Sequence, residues 1–189
     1  MFDPITERWP PVYDAAELAA TITSLVESGT LQSKFYQNPR RGPQVCQGDI
    51  VRLPSAIPVI DHLGQPAALD ETVYHWLVIG NTCDFARRSD DVRWSQLVPL
   101  FDLGSKETLT AEQIRAITAY RTSRRFHVPA WSTEVSGRFY VADFLLPVAA
   151  DKEALSGIAS VEARMSVFGW VLLHSCLVRF LARDDGRFD

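Results

Sequence analysis

Cysteine is scarce: Cys46, Cys83 and Cys176 are the only three in 189 residues, none is spaced C-x-x-C, and an odd count cannot be closed within the chain. That usage excludes a disulfide-stapled framework and points to a reducing compartment, so the expected location is cytoplasmic. Long apolar runs are missing too. The longest, Val167 to Val178, is interrupted by His174 and Ser175 and falls short of the roughly 20 residues a bilayer requires, so no membrane contact is expected. Met1-Phe2-Asp3-Pro4-Ile5-Thr6-Glu7 has no basic region leading into an apolar stretch, which argues against a secretory signal. Positive charge is not in excess: 19 Lys and Arg stand against 23 Asp and Glu, a net charge of −4. Broad nonspecific nucleic-acid binding is thereby disfavoured, although local basic patches are not. The chain contains no Walker loop, dinucleotide fingerprint, G-x-S-x-G elbow or H-E-x-x-H pair. His62, His75, His127 and His174 lack the spacing of a metal site, so neither metal nor cofactor is expected.

What is present reads as one globular domain over residues 1–189, with 47% apolar and 22% charged residues and enough length to bury a core. Asp14 and Glu17 open an amphipathic helix over 14–29 that carries Leu18, Ile22 and Leu25 on one face and stops at Gly29. A turn-rich loop, Gln37 to Pro43, leads into a barrel-like β region over 44–101. Its strands are expected at Gln44 to Leu53, Val73 to Ile79 and Trp94 to Leu100. Between the first two, Pro54, Pro58, Gly64 and Pro66 predict a long excursion with a short strand at Ile57 to Ile60. The remainder, 110–189, opens with a helix started by Thr110 and Gln113, continues through an extended His127 to Trp131 and a strand from Arg138 to Leu146, and ends in an apolar helix. That last helix is placed from Ser160 to about Arg183, with Glu162 in its first turn. Apolar residues around its whole girth require burial on more than one side, either as the central packing helix or against a partner protein. The fold class is α+β: a small, strongly bent SH3-like β-barrel or sheet with flanking helices and a buried C-terminal helix.

Three groups of residues carry candidate chemistry. The strand ending at Ile79 delivers Asn81, Thr82, Cys83 and Asp84 to its tip, a place where rigid sheets present binding and catalytic groups. Cys83 is either a nucleophile, which needs a cation, a helix N-terminus or a histidine such as His75 or His127 beside it, or a small buried thiol with Asp84 capping a turn. Arg124, Arg125, Phe126 and His127, with Trp131 nearby, combine guanidinium groups and rings able to hold phosphate and stack a base. The alternative is a solvated helix end. Asp143, alone in an apolar strand, is a general base, a partner for one of these arginines, or a solvent-facing residue set by strand alternation.

Gly48-Asp49-Ile50-Val51, the long loop with Gly64, the strand Leu77-Val78-Ile79 followed by Asn81, and Gln96-Leu97-Val98-Pro99-Leu100 together resemble the strand order of the PemK/MazF-type toxin barrels over residues 44–101. The resemblance implies an SH3-like barrel that cleaves RNA. The family carries an Arg-Pro pair before its central strand with the arginine in catalysis, where this chain reads Val73-Tyr74-His75-Trp76, and Thr82 stands near the family's catalytic hydroxyl. A second resemblance, to an uncharacterised bacterial family, rests on Cys83-Asp84, Arg124 to His127, Asp143-Phe144 and the apolar helix; it implies one composite domain and no known activity. The resulting expectation is a cytoplasmic bacterial binding or accessory module, of a toxin-antitoxin or phage-defence kind, that holds RNA or a partner protein through the barrel or the last helix. Its competitors are a ribonuclease or other phosphodiesterase, with Arg124 or Arg125 meeting the phosphate charge and Asp84, His127 or Asp143 moving protons, and a structural subunit of a protein complex.

Overall fold

A computed structural model describes residues 15–37, 45–105 and 109–182. The expected Asp14 cap, most of the Gln37 to Pro43 loop and the chain beyond Ala182 lie outside those residues. In chain order the elements are α1 (Ala15–Glu27), α2 (Thr30–Lys34), β1 (Tyr36–Gln37), β2 (Asp49–Ile60), β3 (Pro66–Val78), α3 (Thr82–Ala86), β4 (Trp94–Asp102), α4 (Ala111–Thr118), β5 (Arg125–Val128), β6 (Tyr140–Asp143), β7 (Val148–Asp151), α5 (Lys152–Ile158), β8 (Ser160–Met165) and α6 (Val167–Leu181). The fold is α+β. All strand pairs are antiparallel and run in the order β1-β8-β2-β3-β4-β6-β5, with β7 continuing beside β4. Among the described residues β1 and β5 do not pair, so the sheet is open and does not close into a barrel.

The segment expected to wander between the first two strands is instead a long hairpin. β2 runs unbroken through Pro54 and Pro58, and β3 starts at Pro66. Proline is tolerated there because each falls where no regular ladder bond is needed. The β2–β3 register breaks between Arg52 and Ser55 and again between Ala56 and Pro58, and Pro66 is the first residue of its strand. Asp61 builds the tip, its carboxylate accepting from Leu63 N at 2.8 Å and Gln65 N at 2.9 Å, with Gly64 at φ 75 in the left-handed region open to glycine.

The C-terminal helix also begins later than its composition suggests. Ser160 to Met165 is a strand that pairs with β2, Ile50 opposite Ala163 and Asp49 opposite Arg164. Ser166 is the cap, accepting from Gly169 N at 3.2 Å. Tertiary pairing overrides helix propensity here, and an ion pair fixes the register: Arg164 Nε and Nη2 each donate at 2.7 Å to the two carboxylate oxygens of Asp49, which is fully buried and also accepts from Cys46 N at 2.8 Å. The bidentate fork lets a buried carboxylate satisfy its lone pairs.

The sheet buries both faces, and strand alternation divides the core. Ile50, Leu77 and Val98 pack under α1, α2 and α6 with Leu18, Ile22, Phe35, Phe168 and Leu172. Their neighbours Val51, Trp76, Val78 and Leu97 face the other way, against Leu155 of α5. Helix α6 is therefore a packing helix, buried through Phe168, Leu172, Leu173, Cys176 and Phe180, while Val167, Trp170, His174 and Leu181 remain exposed. The Thr110 capping box is present, Gln113 N donating to Thr110 Oγ1 at 3.2 Å and Thr110 N to Gln113 Oε1 at 2.8 Å. The strand expected over 138–146 is shorter, Tyr140–Asp143, because the chain turns at Phe144 and Leu145; it resumes after Pro147 as β7 on the same neighbour, β4.

Candidate functional site

Two residues before the buried Leu77 in β3, and two after the buried Ile50 in β2, alternation brings His75 and Arg52 opposite one another in the β2–β3 ladder. They line a groove of about 460 Å³ with Tyr74, Arg138, Tyr140 and Glu162. Glu162 comes from the β-bulge at which β8 shifts register against β2. A single oxygen of its carboxylate, Oε2, takes His75 Nε2 at 3.2 Å and the indole Nε1–H of Trp131 at 3.1 Å. The His75 ring is walled by Trp131 and Tyr140, with centroids at 5.2 and 5.5 Å, both edge-on.

Burial is the main influence on His75 and lowers its pKa below the usual histidine range; Glu162 pulls it back up, and Arg52 and Arg138 push it down. The imidazole is accordingly neutral near pH 7. With Nε2–H given to Glu162, the lone pair resides on Nδ1, and a histidine oriented by a carboxylate is the arrangement of a general base. Two guanidinium groups share the groove. Arg138 is partly neutralised by Asp102 at 3.6 Å, whose other oxygen accepts from Phe139 N at 3.2 Å. Arg52 forms no ion pair with a carboxylate among the described residues.

The residues singled out by sequence scatter over several places. Trp131 touches the groove's His75–Glu162 pair, donating to Glu162 and standing edge-on to His75, without lining the groove itself. Arg124 and Asp143 find each other: Arg124 Nε lies 2.8 and 2.9 Å from the two carboxylate oxygens, and Leu145 N donates to Oδ1 at 3.0 Å. Asp143 is buried and tied at the point where β6 breaks off, which is the arginine-partner alternative among its three readings. Arg125 faces Asp143 in the β5–β6 register. His127 is half-buried, stacked on Phe139 at 5.0 Å and near Tyr120 at 6.2 Å, and desolvation takes its pKa from 6.5 to about 4. Its charged form is thus disfavoured in the fold. Because the unfolded chain binds the proton more readily, stability from His127 is full above pH 6.5 and is lost as pH falls from there through 4. Denaturant titrations between those pH values should show a falling unfolding midpoint, and His127→Phe should flatten that slope.

The strand-tip tetrapeptide forms a helix start. Asn81 caps α3, its Oδ1 accepting from Cys83 N at 3.1 Å, and Thr82 Oγ1 accepts from Gln47 N at 3.0 Å. Cys83 is exposed. Asp84 pairs with Arg87 at 3.6 Å, and its carbonyl accepts from the buried Lys152 Nζ at 2.9 Å, which also meets the Arg87 carbonyl. That ammonium collects the carbonyls at the end of a short helix. Asn81 and Asp84 border a second cleft, separate in its lining from the groove. No protein-family model, curated protein or solved structure matches the chain significantly.

The groove's defining pair escaped sequence reasoning because it is a product of register. In the sequence, His75 is a candidate neighbour for Cys83 and Glu162 a first-turn helix residue. The available signal was the alternation Val161-Glu162-Ala163-Arg164-Met165, which has the period of a strand.

Proposed function

We propose that the groove binds single-stranded RNA at a phosphodiester and cleaves it by transfer to the neighbouring 2′-hydroxyl. The observation that carries this reading is the His75–Glu162 pair opposite Arg52 in one open groove. His75 Nδ1 takes the proton of the 2′-hydroxyl, whose oxygen attacks phosphorus. The bond to the 5′-oxygen breaks, leaving a 2′,3′-cyclic phosphate, and the departing oxygen is protonated by solvent. Arg52 and Arg138 meet the charge on the phosphoryl oxygens, and Tyr74, 54% exposed in the groove lining, offers a ring face for a base. An internal 2′-hydroxyl suits this site because it supplies the nucleophile that a base alone must otherwise draw from water.

The likeness of strand order to the PemK/MazF-type toxins supports the same reading. The antiparallel β2–β3–β4 succession accords with a bent SH3-like meander, and His75 lies in the stretch where that family has its catalytic arginine. A cytoplasmic bacterial toxin-antitoxin or phage-defence setting follows from this likeness, as does the alternative of a module that holds RNA without cutting it. Binding separates these readings from a purely structural subunit. Filter binding of a fluorescent oligoribonucleotide at low salt should show an affinity reduced about tenfold or more by Arg52→Ala with Arg138→Ala, together with a shallower dependence on salt, since each lost phosphate contact removes counterion release. Equal affinity and slope in the double variant would remove the groove as the RNA site.

A further inference from the structure

The second cleft, which shares no lining residue with the groove, has the features of a ligand site in its own right. It measures about 540 Å³, within the range of small-molecule sites, about 300–1,000 Å³. Two indoles border it. Trp94, at the start of β4, is 57% exposed, with the Arg93 guanidinium 5.2 Å from its ring. Trp170 of α6 is stacked on His174, centroids 5.5 Å apart and 24° between planes. Its orientation is fixed because Nε1–H donates to Gln47 Oε1 at 2.8 Å while Gln47 Nε2 donates to the Ile79 carbonyl at 2.8 Å. A large exposed indole held by a second-residue amide is organised before any ligand arrives, which lowers the ordering cost of binding.

Between the indoles lie polar groups without partners. Ser95 is 5% exposed, yet its hydroxyl has no hydrogen-bond partner, an arrangement that costs about 1–3 kcal/mol unless something fills it. The Gln96 side chain makes no hydrogen bond among the described residues. Gly80 keeps this floor open: a Cβ there would come 2.1 Å from Ser95 Oγ and 2.9 Å from Gln96 N. Among the described residues that line it, Asp84 and His174 are the ionisable ones. The described lining therefore offers flat apolar walls and neutral donors and acceptors.

We infer that this cleft binds a nucleobase, stacked against Trp94 and Trp170 and read along its edge by Ser95, Gln96 and Asn81. A planar heteroaromatic ring with several donors and acceptors matches both the walls and the floor, and base–aromatic stacking contributes about 1–3 kcal/mol per base. The base arrives either on a free nucleoside or as an unpaired base of an RNA strand. The inference stands on the cleft alone and does not require the groove to act on RNA.

The test titrates the isotopically labelled full chain with adenosine, guanosine, cytidine and uridine in turn, and then with a short single-stranded oligoribonucleotide, reading the indole N–H resonances of Trp94 and Trp170. A saturable shift with a nucleoside identifies a free-nucleoside site, and a shift with the oligonucleotide alone identifies a strand-borne base; both support the inference. Trp94→Ala, which removes a mostly exposed ring, should weaken the response at Trp170 at least tenfold, whereas Leu63→Ala, at the exposed tip of the β2–β3 hairpin, should leave it unchanged. Silence toward all of these ligands at millimolar concentration, an unaltered response in Trp94→Ala, or a response to a neutral disaccharide in their place would overturn it.

Discussion

Asp49→Ala is expected to cost about 3–5 kcal/mol of folding stability, the range for breaking a buried ion pair on one side. The carboxylate is fully buried, takes two 2.7 Å bonds from Arg164 and a 2.8 Å bond from Cys46 N. Its removal leaves a largely buried guanidinium and a backbone donor without their acceptor. The lesion also falls at the junction of β2 with β8 and of β8 with α6, so the bulge that supplies Glu162 should loosen with it. Against a typical total of about 5–15 kcal/mol, such a loss leaves a marginal protein, visible as a large drop in the urea midpoint. Arg164→Met strands the fully buried carboxylate with Cys46 N as its remaining donor and should cost a similar amount, and the double variant should cost less than the two single changes added together. A cost below about 1 kcal/mol for Asp49→Ala would mean that the pair does not hold the register.

His75→Ala should reduce RNA cleavage by about 10²-fold or more, the usual range for a positioned general base being about 10²–10⁴, while leaving the fold and RNA affinity nearly intact. Glu162→Gln keeps a hydrogen-bond acceptor for Nε2–H but removes the charge that raises the His75 pKa, so it should slow cleavage less than His75→Ala and lower the pH at which activity is half lost. The sign of the pH profile follows from the base form being the active one. Burial depresses the His75 pKa, so the rate should be at its plateau at neutral pH and fall only below the ordinary histidine range. A rate that instead rises as the pH is lowered through that range would point to the imidazolium as an acid. These variants read differently from Asp49→Ala because His75 and Glu162 line a groove and belong to none of the three core clusters.

The contrast between core and groove explains what the sequence discloses about this fold. Helix α4 was legible because its capping box is local, and α1 because Leu18, Ile22 and Leu25 repeat at helical spacing above Gly29. β4 was legible from its branched and aromatic run. The long β2–β3 hairpin was not, because Pro54 and Pro58 signal breaks unless one knows that the ladder is already irregular at those points. β8 was read as helix because Val161, Met165 and Phe168 also fit a helical stripe; only pairing with β2 and the Asp49–Arg164 ion pair, 115 positions apart, decides between the periods. The groove depends on that same long-range pairing, so His75, Arg52, Arg138 and Glu162 had no spacing in the chain that could announce them. Arg124 and Asp143, by contrast, were named as one possible pair because a single acid in an apolar strand needs a partner.

The most direct measurement on the groove is made with an uncleavable substrate, a short oligoribonucleotide carrying 2′-O-methyl groups, titrated into the labelled full chain while the ring C–H resonances of His75 and the indole of Trp131 are followed. Saturable shifts of both, abolished by Arg52→Ala with Arg138→Ala, are the result expected if phosphodiester RNA lies against the His75–Glu162 pair. Unmoved His75 and Trp131 resonances at saturating RNA, or shifts that persist in the double arginine variant, would contradict it.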